Sequence, residues 1–94
     1  MIPQKRVSTH PGIILLKEFL EPLSLTQKKL ADHLGIPVQR VNEIVKGKRG
    51  ISPDTAWLLS EAFDTSPEFW LNLQSIYDLS SNRPAKHVEV LKTS

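Results

Sequence analysis

Apolar positions recur along this chain at helical spacing, and the most regular block runs from Leu25 to Ile51. Leu30, Ala31 and Leu34 fall on one face of a short helix. Thr26 precedes it, with a side-chain oxygen suited to an orphan N–H of the first turn. Gly35 follows as a stop, because glycine reaches φ > 0 without steric cost. Ile36 can plug a corner, and Pro37 pre-sets φ for a second helix. Val41, Ile44 and Val45 continue the apolar stripe until Gly47 ends it. Helices crossing at a steep angle need a small residue at the crossing, and Ala31 occupies that place. A plain αα-hairpin would show the same spacing without needing both Ala31 and Gly35. The pattern therefore predicts a helix-turn-helix over about 26–46.

The remaining blocks are helical too. A first helix is expected from Pro11 to about Leu20, capped by Thr9 or His10 and stopped by Pro22, with Ile13, Leu16, Phe19 and Leu20 facing the core. Ser52-Pro53-Asp54 opens a fourth helix as N-cap, N1 proline and acid facing the dipole, running to Phe63. Ser66-Pro67-Glu68 repeats that signal for a fifth, ending near residues 77–79. Prolines 11, 37, 53 and 67 all sit at helix starts, which makes the fold all-α. The fifth helix carries more apolar residues than one stripe can hold. Placing Phe69, Leu73 and Ile76 inward leaves Trp70 and Tyr77 on an adjoining face, expected to form a dimer interface or to be covered by the tail. Residues 1–9 read as a polar arm, in which Lys5 and Arg6 are either disordered or touch a minor groove. Residues 10–79 form the domain, and 80–94 a polar tail in which Val88 and Val90 alternate as in a short strand or an extended arm, although a loose tail fits as well.

Ninety-four residues make one domain with a modest core, which dimerisation would enlarge. The absence of cysteine excludes disulfide scaffolds, cysteine–zinc sites and thiol chemistry. No apolar run approaches the roughly 20 residues of a membrane span. The basic N-terminus has no secretory apolar region behind it, so a soluble cytoplasmic protein is expected. His10, His33 and His87 lack ligand spacing, and His33 falls on a solvent face. The four glycines read as helix punctuation or turns, not as a phosphate-cradling loop. Nothing orders a nucleophile and base, so no enzyme, cofactor or metal is expected.

Net charge is only +2, but its distribution is uneven. From Ser24 to Gly50, Lys28, Lys29, Arg40, Lys46, Lys48 and Arg49 stand against Asp32 and Glu43, a local +4. From Ile51 to Leu79 there are Asp54, Glu61, Asp64, Glu68 and Asp78 with no Lys or Arg, a local −5. One half is suited to face phosphates and the other is not. Sequence is read in the major groove by the exposed start of the second motif helix. With Val41, Ile44 and Val45 inward, Gln39, Arg40, Asn42, Glu43 and Lys46 are expected outward, with Val38 at the boundary. Gln39 or Asn42 can pair with adenine, Arg40 with guanine or a phosphate, Glu43 with cytosine N4, and Val38 can meet a thymine methyl. Glu43 can equally form a surface pair with Lys46 or Arg40. Gln27, the N–H groups that open the first motif helix, and the Lys46-x-Lys48-Arg49 turn suit phosphates.

The segment LTQKKLADHLGIPVQRVNEIVKGKRGIS resembles the lambda-repressor-like, or XRE, helix-turn-helix regulators. With HPGIILLKEFLEPL, DTAWLLSEAF and TSPEFWLNLQSIYDL, the span from His10 to Leu79 resembles the HigA, or VapI-like, antitoxins. The resemblance implies a five-helix lambda-repressor-like domain. Thr26, Gln27, Val38, Gln39, Arg40 and Glu43 stand at its phosphate- or base-facing positions. It also implies a homodimer on a palindromic operator that represses its own operon and neutralises an mRNA-cleaving HigB-type toxin. Two departures stand out: Ile13 replaces an acid that often follows HPG, and Pro37 replaces a capping Ser or Thr. Asp54 and Glu68 are explained by helix dipoles, which leaves Glu61, Asp64 and Asp78 as candidates for steering a basic toxin, with the first helix and the arm as the rival docking surface. Alternatives to an antitoxin are a free-standing XRE-type regulator and a helical interaction module that does not read DNA.

Overall fold

The computed structural model describes residues 8–92, so Lys5 and Arg6 of the arm lie outside the described residues. Five helices follow in order, and no strand is present among the described residues. They are α1 (Pro11–Ile14), continuing directly into a π-helical turn (Leu15–Leu20), then α2 (Gln27–Leu34), α3 (Val38–Val45), α4 (Pro53–Phe63) and α5 (Pro67–Ser81). The core gathers Leu15, Leu20, Leu30, Ala31, Val41, Ile44, Ile51, Ala56, Leu59 and Trp70. Every helix therefore contributes to one apolar centre, as a short chain requires.

The start of α1 explains the His-Pro-Gly run. His10 is the N-cap, its Nδ1 accepting from the Gly12 N–H at 2.9 Å, with Pro11 in the first turn. Gly12 is not punctuation, contrary to expectation. A Cβ there would lie 1.8 Å from the Ile44 carbonyl oxygen, so only glycine lets α1 rest on the backbone of α3. That contact buries Pro11 and Gly12 and leaves Ile13 outside, not in the core as expected. The wider π turn then brings Leu15 and Leu20, five residues apart, onto the same inner side.

The helix-turn-helix is as the spacing predicts. Thr26 Oγ1 accepts from the Lys29 N–H at 3.1 Å, and Gly35 ends α2 at φ 73°. Ala31 is buried where α2 meets α3. At α4 the expected Ser52 cap is only partly right. Ser52 has the extended N-cap backbone, but its hydroxyl donates to the Asp54 carboxylate instead of accepting from the helix. Ser66 does cap α5, accepting from the Phe69 N–H at 3.1 Å.

On α5 Leu73 packs against the core as expected, but the other expected positions are exchanged. Trp70 is fully buried, its Nε1–H donating to Thr65 Oγ1 at 2.8 Å and its ring set among Phe19, Phe63 and Phe69. A residue so enclosed in its own chain cannot form a dimer contact. Tyr77 is half-buried edge-on against His10, with ring centroids 4.7 Å apart. Phe69 and Ile76, expected inward, are 38% and 46% exposed, and Leu79 is 74% exposed. The helix runs to Ser81 because the Ser81 and Asn82 side chains return to the Tyr77 and Asp78 carbonyls and close its last turn. Val88 and Val90 stand almost wholly in solvent, so among the described residues the tail does not cover this face.

Candidate nucleic-acid interface

Helix α3 stands on α2 through Val41 and Ile44, which fixes what its other face presents. Val38 and Gln39 open the helix and are exposed, as is Lys46 at its end. Asn42 is half-buried, its Nδ2 donating to Gln27 Oε1 at 3.1 Å. This bond joins the start of α2 to the middle of α3, two stretches that the sequence assigned to phosphate and to base separately. The first-turn N–H groups of Gln27 and Lys28 have no intrahelical acceptor and lie beside it. Lys28 pairs with Asp32 one turn along, at 2.8 Å and in the open, where such a pair is weak and easily exchanged for another anion.

Glu43 pairs neither with Lys46 nor with Arg40. Its Oε1 accepts from Arg49 Nε at 3.0 Å, and its carbonyl accepts from the Lys48 and Arg49 N–H groups at 2.8 and 3.2 Å. One acid thus shapes the turn that carries Lys46, Lys48 and Arg49, all exposed. Its charge stabilises the turn and neutralises only one of the three cations.

Arg40 is the largest departure from the expected outward surface. Its Nη2 donates to Asp54 Oδ2 at 2.8 Å and to Thr55 Oγ1 at 2.5 Å, across to the start of α4. Its Nε is buried without a partner. The Ser52 hydroxyl, and then the Arg40 guanidinium, hold the Asp54 carboxyl down at about 2. Ser52, Asp54 and Thr55 therefore anchor α3 to the start of α4 through Arg40. Sequence reasoning gave Asp54 to the helix dipole alone. The one usable signal was the Ser-Pro-Asp-Thr run itself, which offers three oxygen-bearing side chains within four residues to a nearby guanidinium.

Of the acids considered for a partner, Glu61, Asp64 and Asp78 are all exposed. Glu61 lies on α4, Asp64 is the left-handed residue that ends α4, and Asp78 accepts from Gln74 Nε2 at 2.8 Å on α5. The structure keeps Asp78 apart from the other two, on a different helix. Among the described residues, no helix is long and apolar enough to cross a membrane.

The fold has close counterparts. The helix-turn-helix family HTH_3 matches residues 16–70. Virulence-associated protein I of Dichelobacter nodosus is 46% identical over 70 residues, 74% of this chain and 65% of that protein, so the chain spans about two-thirds of that relative's length. The Pseudomonas aeruginosa antitoxin HigA, solved with the higBA promoter, is 46% identical with a TM-score of 0.77 over 78% of this chain and 79% of its own. PA4674 from the same organism, solved in complex with its 18-bp operator DNA, is 41% identical with a TM-score of 0.85 over 89% of this chain and 97% of its own. This chain belongs to the HTH_3 helix-turn-helix family, in the branch that holds the HigA antitoxins and VapI-like proteins.

Proposed function

We propose that this chain is a sequence-specific DNA-binding antitoxin that represses its own operon and neutralises a HigB-type mRNA-cleaving toxin in the cytoplasm. The observation that carries the DNA half is the joined surface of Gln27, Val38, Gln39, Asn42 and Lys46, flanked by Lys28, Lys48 and Arg49. Its likeness to HigA on the higBA promoter and to PA4674 on operator DNA supports the same use here. In this reading Gln39 and Val38 meet base edges. The free N–H groups of α2, with Lys28, Lys46, Lys48 and Arg49, hold phosphates, and Thr26 fixes the helix that presents them. Arg40, Asn42 and Glu43 act by positioning.

The protein works as a homodimer on a palindromic operator, with the two recognition helices about one DNA turn, roughly 34 Å, apart. Trp70 has no part in that interface. Its place is taken by Phe69, Ile76 and Leu79 on the exposed side of α5, with Tyr77 at the edge. The exposed carboxylates Glu61, Asp64 and Asp78 raise the association rate of a basic toxin. The reading is tested by binding to the chain's own promoter in competition with random DNA, and by growth of cells expressing the adjacent reading frame with and without this chain. Specific binding with a steep salt dependence, together with rescue of growth, is expected. Binding without rescue would make the chain a free-standing XRE-type regulator, and equal affinity for promoter and random DNA would leave an interaction module.

A further inference from the structure

We infer that the outer face of α4, centred on Trp57, is where a cationic protein partner docks, and that Trp57 receives an arginine side chain. The inference rests on the antitoxin reading and names the surface on which the partner is held. Asp54, Trp57, Glu61 and Asp64 recur at helical spacing and all four are exposed, while Thr55, Ala56, Leu59 and Ser60 turn into the core. Trp57 is 58% exposed. Phe19, Phe63, Phe69, Trp70 and Tyr77 each lie against another ring, whereas Trp57 has no aromatic neighbour among the described residues. A tryptophan left on a helix surface is the side chain that most often anchors a protein interface.

Charge decides the occupant. Asp54 is engaged by Arg40, but Glu61 and Asp64 form no ion pair among the described residues. Residues 51–79 hold no Lys or Arg to offset them. Nucleic acid and anionic lipid are repelled from such a face. A second copy docked by two-fold symmetry about Trp57 would set the carboxylates of one face against those of the other. A guanidinium suits both parts, lying flat on the indole while its N–H groups reach the flanking carboxylates.

The two tryptophans make the test direct, since Trp70 is buried and serves as internal reference. Purified chain would be mixed with the product of the adjacent reading frame, and acrylamide quenching of tryptophan fluorescence followed. Protection of the Trp57 component on complex formation is expected. Trp57→Ala should weaken the complex about tenfold or more with promoter affinity unchanged, and Trp57→Phe should retain part of it. A complex of parental affinity in Trp57→Ala, with Trp57 still quenchable in the parent complex, overturns the assignment while the antitoxin reading stands. Protection of Trp57 by self-association or by promoter DNA overturns it in favour of those occupants. Failure of any complex to form overturns the antitoxin reading and this surface with it.

Discussion

Arg40 holds Asp54 and Thr55 with its Nη2, so it cannot offer that nitrogen to a guanine while α3 stays docked on α4. Its removal should loosen the recognition helix on every DNA alike. Arg40→Ala is expected to weaken promoter and random DNA by similar factors, while Gln39→Ala costs about 1–3 kcal/mol on the promoter alone. Competition titrations with both DNAs decide this, and a loss confined to the promoter in Arg40→Ala would make it a base reader after all. Gly12 makes a second residue-scale case. Its backbone lies so close to the Ile44 carbonyl that Gly12→Ala must push α1 away from α3, at about 1–3 kcal/mol by the usual cost of overpacking. Urea denaturation should show that loss, and parental stability would mean that the contact yields freely. His10 adds a pH dependence. Burial lowers its pKa from 6.5, against a smaller opposing pull from Asp78, because its Nδ1 must stay unprotonated to accept from Gly12. The folded-state value lies below the unfolded one, so this stability is present above pH 6.5 and is lost as pH falls below it. His10→Asn keeps a capping oxygen without the titration, and its stability should lack that decline below pH 6.5. Asp54, also lowered, acts in a separate window, its contribution being lost as pH falls below 3.8.

At the scale of elements, what could be read from sequence was whatever a backbone requirement writes into residue type. Pro53 and Pro67 mark helix starts, and Gly35 marks a left-handed stop that α2 needs. Thr26 caps α2 as its position predicts. The outward positions of α3 follow the same logic, since burying Val41 and Ile44 leaves Gln39 and Lys46 outside by helical geometry alone. What could not be read was anything decided between elements. Helix α5 offers two apolar stripes, and periodicity ranks neither above the other. The slot formed by Phe19 and Phe63, and the Thr65 hydroxyl that satisfies the indole N–H, select Trp70 for the core. Arg40 likewise turns to a carboxylate 14 residues away, which the spacing within α3 does not announce. The exchange of faces has a measurable consequence. Trp70→Ala should cost about 3–5 kcal/mol of unfolding free energy as a core truncation. Phe69→Ala, at the exposed rim, should cost clearly less. Guanidinium melts of the two variants check the order, and the reverse order would return Trp70 to the surface.

At the scale of the molecule, Phe69, Ile76 and Leu79 stay partly or largely in water on one side of α5, and among the described residues the tail does not reach back to cover them. Partial burial of such side chains in a second copy is favourable at about 25 cal/mol per Å² of apolar area removed from water. Association also costs several kcal/mol of translational and rotational freedom, so the proposed dimer through three side chains on a flat stripe would be modest, and a second tie would strengthen it. On the proposed palindromic operator DNA would supply that tie, because two half-sites one turn apart raise the local concentration of each protomer for the other. Dimerisation in free solution should therefore be concentration-dependent in the micromolar range, and operator binding should be cooperative in protein concentration. Ile76→Asp or Leu79→Asp should abolish the dimer by light scattering without unfolding the domain, since both positions are exposed in the single chain. Each should also weaken the full operator far more than an isolated half-site, because the contacts of α3 to DNA are untouched. Equal losses on half-site and full site would place the damage in the DNA surface itself. A parental dimer in both variants would move the interface off α5, leaving the two-fold arrangement to be built from another face.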